Sequence, residues 1–292
     1  MTSGEAIKSR IEAAGARPSP PGREVLVEPS RGWPSLRVRE LWEFRELLYF
    51  LAWRDIKIRY RQTVLGVAWA ILQPLLTTIM FWLLFGRLAG IKSDGIPYPV
   101  FAFAALMLWS FFSNAVTASS NSLVGSSNLI TKVYFPRMII PIAAVGAGLI
   151  DLIITLPLLV VMSLYYGVVL RWTITIVPVL ILLTTLLAVG VGIGLSALNV
   201  RYRDVRFALP FVVQLWMFAS PIIYPASLLP TRWRWLWRFN PLAGIIENFR
   251  AALFGRQFDW VALAVSALIT MGVLVYSAFA FRRFEKSFAD II

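Results

Sequence analysis

The sequence predicts an all-α membrane protein with six transmembrane helices, on three observations. Six apolar stretches, residues 64–85, 99–118, 138–165, 172–198, 207–224 and 260–281, approach or exceed the ~18–20 residues needed to cross hydrocarbon. The 292 residues are 59% hydrophobic with a mean hydropathy of +0.73, above the roughly half-apolar balance of soluble domains. Lysine and arginine gather on alternate connections, as the positive-inside rule requires of a polytopic chain.

Residues 1–34 contain Pro18, Pro20, Pro21, Pro29 and Pro34 and no apolar segment. They read as a mobile cytosolic tail without the apolar core of a cleavable signal peptide. Residues 35–63 are too charged to span. Leu41, Phe44, Leu48 and Leu51 recur at three- and four-residue spacing, as do Trp53, Ile56 and Tyr60, beside a stripe of Arg54, Lys57 and Arg61. This pattern predicts an in-plane amphipathic helix with its cations at anionic headgroups. Anchoring alone would explain it. The functional alternative is that Arg54, Lys57, Arg59 and Arg61 also gather the phosphates of a lipid-linked substrate.

Residues 64–285 form the six-span domain. With a cytosolic N-terminus, segments 1–63, 119–137, 199–206 and 282–292 hold 20 of the 28 Lys and Arg residues. Arg54, Lys57, Arg59 and Arg61 before the first span and Arg282, Arg283 and Lys286 after the sixth agree, so both termini are expected inside. Between spans five and six, residues 225–259 contain Pro225, Pro230 and Pro241 and two short mixed segments, Leu236 to Phe239 and Leu242 to Phe254. Neither can span, and both suit interfacial or re-entrant helices. The run from Arg232 to Arg238 alternates Arg with Trp and fits an outer aromatic and cationic belt, with a substrate-touching lid as the alternative.

Polar residues within spans are few. Asp151, in the middle of span three, must be protonated, hydrogen-bonded or facing a wet cavity; a structural hydrogen bond is the favoured reading, and a proton relay would need a second ionisable group. Gln73-Pro74 and Gln214 are expected to supply interhelical hydrogen bonds and a kink. Gly190 and Gly194 have the spacing for close helix approach. Trp82, Trp109, Phe112, Trp216, Phe218 and Tyr224 are candidates to line a path along which sugars stack.

The net charge of +13 points to lipid headgroups or a phosphate-bearing lipid rather than nucleic acid, because the cations flank apolar spans. With no Cys and no His, disulfides, thiol nucleophiles, Cys/His zinc sites and imidazole catalysis are excluded. No carboxylate cluster suggests a metal. None of the five lysines follows a glycine, so the phosphate-cradling loop of an ATPase is missing. No catalytic residue is expected in this chain.

One resemblance ties these features together. Leu198-Asn199-Val200-Arg201-Tyr202-Arg203-Asp204-Val205, on to Pro210 and Gln214-Leu215-Trp216, is similar to the fourth-to-fifth span region of ABC-2 type permeases, and more narrowly of the channel subunit of bacterial O-antigen and polysaccharide exporters. Arg54 to Tyr60, Leu65-Gly66 to Gln73-Pro74, Phe135-Pro136-Arg137, Ser220 to Pro225, and Asn240-Pro241 to Glu247-Asn248-Phe249-Arg250 also match. The likeness covers about residues 40–285, and its specificity lies in the order and spacing of the fragments.

The resemblance implies a homodimer working with two separate ABC ATPase subunits, which bind ATP and Mg, in a bacterial inner membrane. It implies outward movement of a polyprenyl-linked polysaccharide; a drug, lipid or teichoic-acid-type polymer is the alternative cargo. It also implies that the stretch 121–135 docks on the ATPase, with Ser126, Asn128, Leu129, Ile130 and Lys132 in coupling roles. Leu123, Leu129, Ile130 and Val133 supply the apolar residues to bury. Arg201, Arg203, Asp204 and Arg206 form the other short cytosolic turn, with Arg201, Arg203 and Asp204 as its coupling candidates. A simple connecting loop and a simple charge-balanced turn fit the same two segments.

Overall fold

The computed structural model describes residues 38–285 apart from 62–65, 134, 170, 229, 231–234 and 236. The predicted tail and the first part of the Arg/Trp belt lie outside the described residues. Those described are helical or irregular, without strands. Helices α1 (Val38–Glu43) and α2 (Arg45–Arg61) lead to α3, Ala68–Leu88, whose end widens into a π-helical stretch at Trp82–Leu88. Next come α4 (Tyr98–Gly125), the short α5 (Ser127–Lys132) and α6 (Ile139–Tyr165). A 3₁₀ turn, Trp172–Ile176, opens α7 (Val177–Arg201), followed by α8 (Val205–Phe218), a 3₁₀ turn at Ala226–Leu228, α9 (Pro241–Phe254) and α10 (Trp260–Glu285).

Among the described residues five helical segments are long and apolar enough to cross a membrane: α3, α4, α6, Trp172–Arg201 and α10. The expected span 207–224 is different. Its helix α8 has 14 residues, or about 21 Å, against a hydrocarbon thickness of ~30 Å. Helix α8 ends at Phe218 and the chain continues without helix through Ser220-Pro221. Pro221 lacks an amide proton and disfavours the helical conformation of the residue before it.

Helix α4 is the centre of the bundle. In its most apolar stretch 78% of residues are buried, against 11% for α3. Phe101, Phe103, Leu108 and Phe112 are fully enclosed. Small residues allow the close approaches. A Cβ on Gly190 of α7 would lie 3.0 Å from the Leu274 backbone of α10, and one on Gly194 would lie 2.8 Å from the Ser277 hydroxyl. The pair Gly190/Gly194 therefore does what its spacing predicts.

Ion pairs fix which segments share an end. Glu40 pairs with Arg282 at 3.7 Å, while the Arg137 backbone N–H and guanidinium donate to Glu285, both at 3.2 Å. The N-terminal helices, the segment before α6 and the end of α10 thus lie together. At the other end Asp94 accepts from Ser227 (2.8 Å) and pairs with Arg256 (3.2 Å).

Helix α2 does more than float at an interface. Leu51 and the half-buried Leu41, Phe44 and Leu48 pack with Ile139, Ile140 and Ala143 of α6. Ala52 lies beside Gly146, while Arg59 and Tyr60 reach Asp151. The C-terminal end of α2 therefore sits farther along α6 than its middle, and the apolar stripe is spent on protein.

Candidate functional site

Polar residues at helical spacing open two connected cavities beside α4. One, of about 430 Å³, lies among α2, α3, α4 and α6 and is lined by Arg59, Tyr60, Asp151 and Thr155 on one side. The other, of about 440 Å³, lies among α3, α4 and α8, with Thr77, Ser113 and Gln214 on its wall. Gln73, Ser110, Asn114 and Thr117 line both, so the two form one polar seam. Ser110, Ser113, Asn114, Thr117 and Asn121 recur every three or four residues on α4, and Gln73 and Thr77 stand one turn apart on α3. That periodicity is the signal in the sequence that the aromatic candidates obscured. Gln73 and Gln214, expected as hydrogen-bond partners, line the seam instead, and no bond joins them.

The coupling candidates converge. Asn199 of α7 donates to the Ser120 carbonyl at 2.9 Å and to the Asn121 amide oxygen at 3.2 Å, bringing the two expected coupling segments side by side. Between them runs a groove of about 740 Å³ lined by Asn121, Val124, Ser127, Arg203, Arg206 and Phe207. A neighbouring groove of about 650 Å³ brings Ser126, Asn128 and Leu129 against Arg54 and Arg59. Leu123 and Ile130 are buried and Leu129 is half-buried, as expected of a seated segment. Val133, expected to bury, is 52% exposed; with the exposed Asn128 and Lys132 it forms an outward surface. Arg201 stacks on Tyr202 and Phe284. Asp204 makes no ion pair with Arg201, Arg203 or Arg206 among the described residues; its backbone carbonyl receives Phe207 and Ala208.

The four headgroup cations have unlike surroundings. Lys57 and Arg61 are exposed. Arg54 pairs with its neighbour Asp55 at 2.8 Å. Arg59 pairs with Asp151, whose other oxygen accepts the Tyr60 hydroxyl. Burial, then the bond to Asp151, pushes the Tyr60 phenol above its ordinary value, so it remains a proton donor. The intramembrane carboxylate is thus held by an ion pair and a hydrogen bond, where the sequence suggested a hydrogen bond.

Three of the six aromatic candidates, Trp109, Phe112 and Trp216, form a packed ladder. Phe112 is fully buried and its ring meets Trp216 edge-on at 5.1 Å and Trp109 at 5.9 Å. Trp216 donates to Asn240 at 3.0 Å, and Tyr224 to the Phe218 carbonyl at 3.1 Å. Trp109, though largely buried, borders the α3–α4–α8 cavity, Phe218 is exposed, and Trp82 carries Arg87 over its ring at 5.6 Å. As placed within one chain, Phe112 has no open face to offer a substrate.

Arg250 was missed altogether as a site residue. It is 2% exposed and donates to the carbonyls of Phe101 (3.2 Å), Pro221 (2.6 Å) and Ile222 (2.8 Å), with its guanidinium 3.4 Å over the Phe101 ring. Glu247 lies 3.5 Å away and accepts the Ala226 N–H. This cluster clamps α9 and the turn after α8 onto the start of α4.

A family profile described as ABC-2 type transporter matches residues 46–254. The chain belongs to the ABC-2 type transporters. Among its relatives, the O-antigen export system permease protein RfbA of Myxococcus xanthus is 29% identical over 259 residues, covering 87% of this chain and 98% of the relative. RfbA of Klebsiella pneumoniae is 26% identical, covering 85% and 95%. The polysialic acid transport protein KpsM of Escherichia coli is 24% identical, covering 80% and 92%. The matched span of the ABC-2 profile contains the whole seam, both coupling segments and Arg250.

Proposed function

We propose that this ABC-2 chain is the channel-forming subunit of an ATP-driven exporter that moves a lipid-linked polysaccharide from the cytosol to the outer leaflet or periplasm of a bacterial inner membrane. The polar seam carries this reading. Amide and hydroxyl groups line it, the chemistry that sugar hydroxyls bond, and its walls α3 and α8 are largely exposed in the single chain. A second copy of the chain closes such half-channels into a path.

We propose the finer architecture on the same grounds. Helix α8 and residues 219–224 make the short sixth crossing, and α9 with the Ala226–Leu228 turn dips from the outer side. An even number of crossings agrees with the pairing of Glu40 and Arg282 at one end, and the excess of basic residues makes that end cytosolic.

Two ABC ATPase subunits supply the energy and bind ATP and Mg. Their closure presses on α5 and the α7–α8 turn, joined by Asn199. Both segments lead into seam walls, α4 and α8, so movement at the groove reaches the path directly. Arg54, Lys57, Arg59 and Arg61 receive the lipid phosphate on the cytosolic side. Vesicles carrying the chain with its ATPase should export the lipid-linked glycan only with ATP. Export by the chain alone, or export of drugs in preference to glycan, overturns this reading.

A further inference from the structure

Asp151 stands 12 residues beyond the first residue of α6, about 18 Å along the helix. A bare carboxylate at that depth is costly, and the reading of the chain as an exporter assigns it no task. Its surroundings give it one. Among the described residues it is the only acid lining the α2–α3–α4–α6 cavity, and Arg59 is the only cation there. Nearby walls offer uncharged groups such as Gln73, Asn114 and Asn121, so recognition of an anion rests on one guanidinium.

That guanidinium is held in an accessible way. The Arg59 and Asp151 side chains are 32% and 20% exposed, both open to the cavity. Arginine presents five N–H donors in a planar fork that fits phosphate oxygens. An arriving phosphate exchanges one anionic partner for another, so no new cation is desolvated. In a diphosphate linkage two negative charges, against the carboxylate's one, attract the guanidinium more strongly at equal distance. Asp151 keeps the Tyr60 hydroxyl after the exchange, and so is not stranded.

We propose that Asp151 is a positioning residue that keeps Arg59 at the cavity mouth until a phosphate of the lipid-linked substrate displaces the carboxylate. The inference rests on the exporter reading and adds to it a switch. Arg59 also lines the groove shared with Ser126, Asn128 and Leu129, next to the surface that meets the ATPase. Exchange of its partner loosens the tie between α2 and α6 and makes headgroup occupancy felt at the coupling segment.

The test uses the complete permease–ATPase complex in vesicles of zwitterionic lipid, reading the ratio of stimulated to unstimulated ATP hydrolysis. Polyprenyl diphosphate, polyprenol and phosphatidylglycerol are the three probes. Polyprenyl diphosphate should stimulate and polyprenol should not; an equal response to phosphatidylglycerol overturns the assignment to substrate phosphate. Asp151→Asn should lower the half-saturating concentration of polyprenyl diphosphate by about 5–10-fold, because the competing charge is gone. Arg59→Gln should abolish the response and Arg59→Lys should recover part of it. A merely structural pair predicts that Asp151→Asn and Arg59→Gln weaken the response alike, and that result sinks the proposal. Should Asp151→Asn fail to assemble with the ATPase, Tyr60→Phe reads the same competition. It leaves the carboxylate to Arg59 alone and should raise the half-saturating concentration about 2–3-fold; no change or a fall overturns the proposal. Absence of ATP-dependent glycan export by the unaltered complex would instead fault the transport reading.

Discussion

Arg250 and Arg59 are both held within the bundle, and they are held in opposite ways. Arg250, at the end of the bundle where α9 meets the start of α4, is enclosed by three backbone carbonyls, an aromatic face and Glu247. Arg59, beside the middle of α6, leans on one carboxylate at the edge of a cavity. Backbone carbonyls cannot leave without unfolding the turn that carries them. A single side-chain carboxylate can be replaced by another anion. The Arg250 site is built to stay, whereas the exchange proposed above asks the Arg59 site to give way.

Removing the guanidinium from each site tests that contrast most severely. Arg250→Met strands three carbonyls and the half-buried Glu247, with an expected loss of about 3–5 kcal/mol. The variant should show a collapsed thermal midpoint in detergent and little monodisperse protein. Arg59→Met should cost less, about 1–2 kcal/mol, since its site opens to a cavity and Asp151 keeps the Tyr60 hydroxyl. Equal losses would break the comparison.

Asn199→Ala comes next. It removes the donor that joins the two coupling segments and leaves the buried Ser120 carbonyl short of a bond, worth about 1–3 kcal/mol. ATP hydrolysis should persist while export per ATP falls several-fold, because the defect lies in transmission. Unchanged export per ATP would show that the segments move independently.

A smaller effect concerns pH at the Arg250 clamp. Burial raises the Glu247 carboxyl above its ordinary value, against the pull of Arg250, and burial lowers Arg250 to about 10. For an acid with a raised native pKa, the folded state binds the proton more tightly than the unfolded state. This group's contribution to stability therefore increases as pH falls from neutral through its native pKa toward the ordinary value near 4.5. Glu247→Gln should flatten that part of the stability–pH curve in thermal melts; a steeper curve would contradict the sign. Smallest of all, Glu40→Gln should change stability by less than about 1 kcal/mol, because its pair with Arg282 is long and partly exposed.

Much of the fold was legible because each long helix must bury its own backbone bonds in lipid and so leaves a run of apolar residues. The runs 99–118, 138–165 and 260–281 lie within or nearly coincide with α4, α6 and α10. The run 207–224 holds a helix shorter than the run itself, because hydropathy does not register that the chain leaves the helix at Phe218, ahead of Pro221. The seam on α4 was legible in principle, since Ser110, Asn114, Thr117 and Asn121 share a helical face. Arg250 was not. In sequence it resembles any arginine of an external loop, and only folding surrounds it with the carbonyls of Phe101, Pro221 and Ile222, which lie 149, 29 and 28 residues away.

By itself the sequence determined that the chain is helical and lies in a membrane, since hydropathy acts locally and needs no partner. Tertiary structure decided which polar groups meet: Arg59 with Asp151, Asn199 with Ser120 and Asn121, and Arg250 with its carbonyls. Those pairings join residues tens to more than a hundred positions apart, and helix packing, guided by small residues such as Gly190 and Gly194, selects them. No periodicity along the chain encodes that choice.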